Sequence, residues 1–197
     1  MSAAAALMPA MDAPGLLFFK ASLANAHCFL EYGCGGSTAY AVNKTDLKAV
    51  ISVDTSLEWL EKVARSLSSP KGRVLLKHCD LGPVGDWGAP LNRDRSEHFW
   101  RYMVTPWEIA KKHNLVPDVV LIDGRFRVAS FLYSLLSARA GTTILFDDYL
   151  DRPQYFVVER FCRLKEQHGR MGVFQVQHEY AVPDIVSAIA EYATVWA

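Results

Sequence analysis

The chain has no excess of charge of either sign. Its 197 residues carry 21 Lys plus Arg against 21 Asp plus Glu, a formal net charge of zero at pH 7. Bulk binding to nucleic acid or to an anionic membrane runs on a basic surplus, so neither a large nucleic-acid target nor a membrane surface is expected. No stretch approaches the roughly 18 apolar residues of a membrane span. Residues 1–20 have no basic segment ahead of their apolar run, and Asp12 and Pro14 interrupt it, so no signal peptide is expected. Cysteine is scarce. Cys28, Cys34, Cys79 and Cys162 form no C-x-x-C pair and match no zinc framework. Free thiols in a reducing compartment are expected, and with them a cytoplasmic location. There is no internal repeat, and the only low-complexity stretch is the Ala run at positions 3 to 6.

Apolar mass is not lacking. Hydrophobic residues make up 51% of the chain, enough to bury a core without staples, and the length suits one domain over residues 1–197. Apolar runs alternate with helical patterns. Strands are expected at residues 28–32, 50–53 (ending at Asp54), 73–76, 118–123, 142–146 and 172–176. Helices are expected at 15–26, 37–43, from the Ser56 cap to about 67, 106–113, 128–138, 151–166 and from 183 to about 192. Residues 194–197 read as a candidate last strand. Fully apolar strands each followed by a helix predict a doubly wound, mostly parallel α/β sheet of Rossmann type with helices on both faces. Ligands of such sheets bind off the carboxyl ends of the strands. Here those ends are Gly33, Asp54, His78 to Asp80, Asp123 and Asp147.

The first strand runs into Glu31-Tyr32-Gly33-Cys34-Gly35-Gly36-Ser37-Thr38. Glycines permit a tight turn and close backbone approach to a ligand, with a helix N-terminus behind. Asp54, 21 residues after Gly33, ends the second strand, where a carboxylate can accept both hydroxyls of a ribose. A dinucleotide fingerprint wants a third glycine where Thr38 stands, and a diphosphate tolerates no nearby carboxylate such as Glu31. An NAD(P)-binding oxidoreductase is therefore the alternative reading.

The acidic-x-G-x-G pattern resembles motif I of the class I S-adenosylmethionine-dependent methyltransferases, whose cofactor is a sulfonium cation without phosphate. The resemblance spans roughly residues 25–180. It implies that Gly33 and Gly35 pass the methionine part of the cofactor, with Glu31 and Ser37 in the same turn. It implies further that Asp54 holds the ribose hydroxyls, Asp80 lies toward the adenine amino group, and Asp123 stands beside the reaction centre. Ile122-Asp123-Gly124 and Leu145-Phe146-Asp147-Asp148-Tyr149 resemble a subgroup with small-molecule O-methyltransferase character. That subgroup commonly has a His after its Asp-Gly. Arg125-Phe126-Arg127 stands there instead.

Asp123, Asp147 and Asp148 end two strands expected to be neighbours. Three carboxylates at one mouth repel unless a cation or a proton relieves them. Hard oxygen ligands of this kind suit Mg²⁺ or another divalent metal. In the related metal-dependent enzymes an amide takes the place of Asp148. The opposing reading has the carboxylates bonded to loop amides or to Arg125 and Arg127. Residues 81–105, rich in Gly and Pro, read as a lid insert. Its Trp87 offers an apolar wall and its Arg93 and Arg95 can grip an anion, as can Arg125, with Asp148 alongside. His98 and Asp123 are the candidate catalytic groups for drawing a proton from an acceptor. The expected activity is methyl transfer to a small molecule, at a hydroxyl oxygen, with a second copy of the chain as the one macromolecular partner considered. A non-catalytic protein keeping the fold is the third reading.

Overall fold

A computed structural model describes residues 7–68 and 71–196. Seven strands form one sheet: β1 (Cys28–Tyr32), β2 (Ala49–Asp54), β3 (Arg73–His78), β4 (Val119–Ile122), β5 (Thr143–Phe146), β6 (Glu166–His168) and β7 (Met171–Gln175). Their spatial order is β3-β2-β1-β4-β5-β7-β6, with β7 antiparallel to both of its neighbours and the other pairings parallel. Among the described residues six α-helices accompany them: α1 (Ala13–Ala24), α2 (Gly36–Lys44), α3 (Leu57–Ser66), α4 (Trp100–Lys112), α5 (Arg127–Ser137) and α6 (Val182–Tyr192). Among the described residues no helix is long and apolar enough to cross a membrane, and all four cysteines are free and buried.

Both faces of the central strands are buried, which is why they read as unbroken apolar runs. Alternation still sorts their side chains, because successive residues point to opposite faces. Leu30, Tyr32, Ile51, Val53, Val120, Ile122 and Phe146 pack under Tyr102, Met103 and Trp107 of α4 and Phe131 and Leu132 of α5. Phe29, Val50, Val119, Leu121 and Leu145 pack under Phe19 and Leu23 of α1 and Ala41 and Val42 of α2. The Ser56 hydroxyl caps α3 by accepting from the Trp59 amide at 3.2 Å, and Asp12 caps α1 through the Gly15 amide at 3.0 Å.

Three expectations are corrected. The first helix after the insert begins at Trp100 and carries Pro106 inside it rather than at its start. Burial of Tyr102, Met103, Trp107 and Ala110 on one face outweighs the amide that proline lacks. The insert therefore ends near Phe99, and within it only Asp86–Gly88 and Ser96–His98 form short 3₁₀ turns. The expected helix at 151–166 is a 3₁₀ segment, Pro153–Arg160, and residues 166–168 are a strand. That strand pairs with β7 through a turn at Gly169, whose φ of +60° suits glycine. Residues 194–196 form no strand, and Ala197 lies outside the described residues.

Candidate active site

The register brings the carboxyl ends of the strands into one row. Tyr32 stands level with Val53 and Ile122, and Ile122 with Phe146. Gly33, Asp54, Asp123 and Asp147 follow these positions. The row straddles the β1–β4 junction, where the strand order reverses and where ligands of such sheets sit.

The glycines of the turn answer to different constraints. Gly33 has φ +91°, and a Cβ there would lie 2.7 Å from the Gly124 Cα, so the two loop starts pack directly on each other. A Cβ on Gly124 would in turn collide with the Tyr102 hydroxyl. Gly36 is covered by the backbone of Met8 and Pro9, part of a strap over residues 7–12 that crosses the start of α2. Around Gly35 nothing lies within 4 Å of where a Cβ would be. No described residue fills that space.

Asp54 is buried. Its Oδ2 accepts from the Cys34 amide at 3.0 Å and its Oδ1 from the Ser56 amide at 2.8 Å. The carboxylate thus fixes the glycine turn. Burial raises its pKa, and these backbone donors oppose the rise. The Cys34 thiol is pushed far above the ordinary range by burial and by Asp54, so it is no nucleophile.

Glu31 and Ser37 bind each other at 2.7 Å, and Thr38 donates to the other oxygen of Glu31 while accepting from the Gly35 amide at 2.9 Å. Both residues therefore shape the turn from beneath. Burial pushes the Glu31 carboxyl up to about 7, against the hydroxyls of Thr38 and Ser37, which hold it down. Between about pH 4.5 and 7 the folded protein keeps a proton that the unfolded chain has released, so stability falls as pH rises through this window. At about 1.4 kcal/mol per pH unit, Glu31 accounts for roughly 3 kcal/mol of that fall. Glu31→Gln should remove the Glu31 share of the slope in urea titrations run across the window and leave the share that Asp123 contributes. A slope equal to that of the wild type would disprove the assignment.

Asp80 is exposed. It accepts from the Gly82 amide at 3.0 Å and pairs with Arg95 at 2.8 Å, and these two contacts lower its pKa, the amide first. Arg95 is thus engaged at the β3 edge. Arg93 lies 5.0 Å over the ring of Trp196. The turn carrying Trp87 is fastened beside Asp54, because the Thr55 hydroxyl donates to the Gly88 carbonyl at 2.6 Å. Trp87 itself is 84% exposed with φ +57°. His98 sits in the short turn before α4 with Glu97 3.4 Å away, and among the described residues it makes no hydrogen bond or ion pair with Asp123.

Asp123, Asp147 and Asp148 do meet, each offering an oxygen within 4.8 Å of the others. Three arginines hold them. Arg127, buried behind the cluster, reaches Asp123 at 3.1 Å and Asp148 at 3.1 Å. Arg152 pairs with Asp148 at 3.1 Å. Arg170 reaches Asp147 at 3.0 Å and Asp148 at 2.9 Å. The positive charge that this trio requires is thus supplied by guanidiniums on the lone pairs a divalent ion would use at about 2.0–2.1 Å. The expectation of a metal at Asp123, Asp147 and Asp148 does not fit this donor set. Burial raises the pKa of Asp123, as do Asp147 and Asp148, while Arg127 opposes them.

Arg152 and Arg170 belong to the site but are not among the residues the sequence pattern singles out. Arg152 was findable, four residues after Asp148 on a turn. Arg170 was hidden by the misread helix, because only the β6–β7 hairpin carries it to Asp147. The same guanidinium donates to the Ala10 carbonyl, and the Arg170 amide donates to Asp12 at 3.0 Å, so Arg170 also ties down the strap.

A seven-stranded sheet of this order, with an acidic-x-G-x-G turn and an aspartate ending β2, defines a class I methyltransferase fold. The chain superposes on a methyltransferase-like protein from Silicibacter pomeroyi with a TM-score of 0.86 and 30% identity, over 96% of this chain and 98% of that one. It belongs to that family, within the class I S-adenosylmethionine-dependent methyltransferases. An O-methyltransferase from Bacillus cereus in complex with SAH overlaps far more loosely, with a TM-score of 0.46 and 16% identity over 78% of this chain and 64% of that one. No protein-family model and no curated protein matches the chain.

Proposed function

We propose that the protein binds S-adenosylmethionine between Gly35 and Asp54 and transfers its methyl group to a hydroxyl oxygen of a small molecule seated beside Asp123. The observation that carries this reading is the space over Gly35 that no described residue fills, in a turn whose Cys34 amide is held by the buried Asp54 carboxylate. Asp54 accepts from the ribose hydroxyls. Asp80 turns toward the adenine amino group. The Gly33–Cys34–Gly35 backbone, braced by Glu31 through Ser37 and Thr38, passes the methionine part. When bound, the cofactor supplies an electrophilic methyl group on a sulfonium. Asp123, with its pKa raised, is suited to take the acceptor proton near neutral pH, and His98 is the second group able to do so. Calorimetry with S-adenosylhomocysteine and with NAD tests the first half: binding of NAD alone would overturn it. Release of S-adenosylhomocysteine across a panel of hydroxylated acceptors tests the second, and cofactor binding with no turnover on any acceptor would leave a binding protein.

Because guanidiniums neutralise the aspartate trio, chelation should change nothing. Affinity for S-adenosylhomocysteine and the melting temperature are expected to be equal in EDTA and in added Mg²⁺. A stabilisation by Mg²⁺ that EDTA reverses would restore the metal reading.

A further inference from the structure

We infer that the acceptor carries a carboxylate, and that Arg125 is the group that holds it. The inference rests on the methyltransferase reading for its placement beside the reaction centre. Arg125 follows Asp123 and Gly124 directly, and its amide faces the Tyr102 hydroxyl at 3.4 Å. Its side chain is half-buried, yet it forms no ion pair or hydrogen bond with any described residue, and its Nε is sealed from solvent without a partner. The neighbouring arginines are all engaged. Arg127, Arg152 and Arg170 are matched one for one against Asp123, Asp147 and Asp148. Arg95 is paired with Asp80, and Arg93 lies on Trp196. Arg125 is the surplus cation at the mouth.

A partly desolvated guanidinium without a partner is unfavourable, and no described residue gives it a hydrogen bond or an ion pair. Burial, with Arg127 and Arg152 adding repulsion, lowers its pKa, as expected for a cation awaiting an anion. A planar guanidinium fits a carboxylate or a phosphate by paired N–H donors. One surplus charge balances a carboxylate. A phosphomonoester brings about −1.5 to −2 and would be under-compensated. The choice therefore falls on a carboxylic acid bearing a hydroxyl, with the acid on Arg125 and the hydroxyl toward Asp123.

The test uses matched probes in ligand-detected NMR: 3-hydroxybenzoate and 4-hydroxybenzoate against their primary amides, with phenyl phosphate as the phosphate arm. Each is measured on the free and the S-adenosylhomocysteine-loaded protein. The acids are expected to bind and the amides and phenyl phosphate to bind more weakly. Arg125→Gln should weaken the acids by about 10- to 100-fold, and Arg125→Lys should recover part of the loss. No preference for acids over amides, tighter binding of phenyl phosphate, or undiminished acid binding by Arg125→Gln would each overturn the inference. Circular dichroism and a melting curve confirm that the variant is folded. If S-adenosylhomocysteine fails to bind while Arg125-dependent acid binding persists, only the methyltransferase reading falls. If the cofactor product binds and the acids do not, only this inference falls.

Discussion

Asp54→Ala is expected to weaken S-adenosylhomocysteine binding by about 100-fold or more. Two hydrogen bonds from ribose hydroxyls to a carboxylate are at stake, each worth about 1.5–3 kcal/mol, and each 1.4 kcal/mol is tenfold. The same substitution strips the Cys34 and Ser56 amides of their acceptor, so the glycine turn loosens as well. The two effects separate with Asp54→Asn. Its single carbonyl oxygen can keep one of these backbone contacts, so the melting temperature should recover more than the affinity does. Isothermal calorimetry and thermal melts on both variants make the comparison. Unchanged affinity in Asp54→Ala would remove the ribose assignment and with it the proposed orientation of the cofactor.

How much of this site was legible in the sequence depended on the distance over which its parts cooperate. The glycine turn and Asp54 lie at the ends of buried strands, and strands buried on both faces announce themselves as apolar runs. Asp123, Asp147 and Asp148 were legible for the same reason. What neutralises them was not. Arg170 reaches Asp147 only because β6 turns back at Gly169, and β6 is three residues of polar sequence, Glu166 to His168, without an apolar signal. Its pairing with β7 is made by backbone, so side-chain periodicity could not reveal it. The same limit hid the strap. Nothing in Met8 or Pro9 signals that their backbone covers Gly36, and the contact is visible only from the missing Cβ on the other side. Pro106 misled in the opposite way. A residue that usually opens a helix was carried inside one by the burial of the residues around it. The anion grip expected from Arg93, Arg95 and Arg125 also narrowed once partners were visible, because Arg93 lies on Trp196 and Arg95 is paired with Asp80.

Arg127→Met is expected to be the most damaging single change. The side chain is 4% exposed. Its Nε donates to the Gly124 carbonyl at 3.0 Å, its Nη1 to the Asp147 carbonyl at 2.6 Å, and its Nη2 to the carbonyl and carboxylate of Asp123 at 3.1 Å. One guanidinium thus joins the ends of β4 and β5 by backbone as well as by charge. Methionine fills much of the volume but leaves three carboxylates facing two arginines and Asp123 with no ion-pair partner. Breaking a buried pair in this way costs about 3–5 kcal/mol, and Arg127→Lys should rescue little because an ammonium lacks the planar fork. In a chain of this size the loss corresponds to a fall in melting temperature of roughly 6–20 °C. Adding Asp123→Asn should restore part of it, since the unpaired charge is then gone, and a double-mutant cycle reads the coupling directly. The variant should also acquire a property the wild type lacks. With the guanidinium removed, the cluster carries a net negative charge and free lone pairs once Asp123 is ionised, so at alkaline pH Mg²⁺ or Mn²⁺ should stabilise Arg127→Met while leaving the wild type unmoved. Equal stability of variant and wild type, with no coupling to Asp123, would show that something other than Arg127 balances these carboxylates.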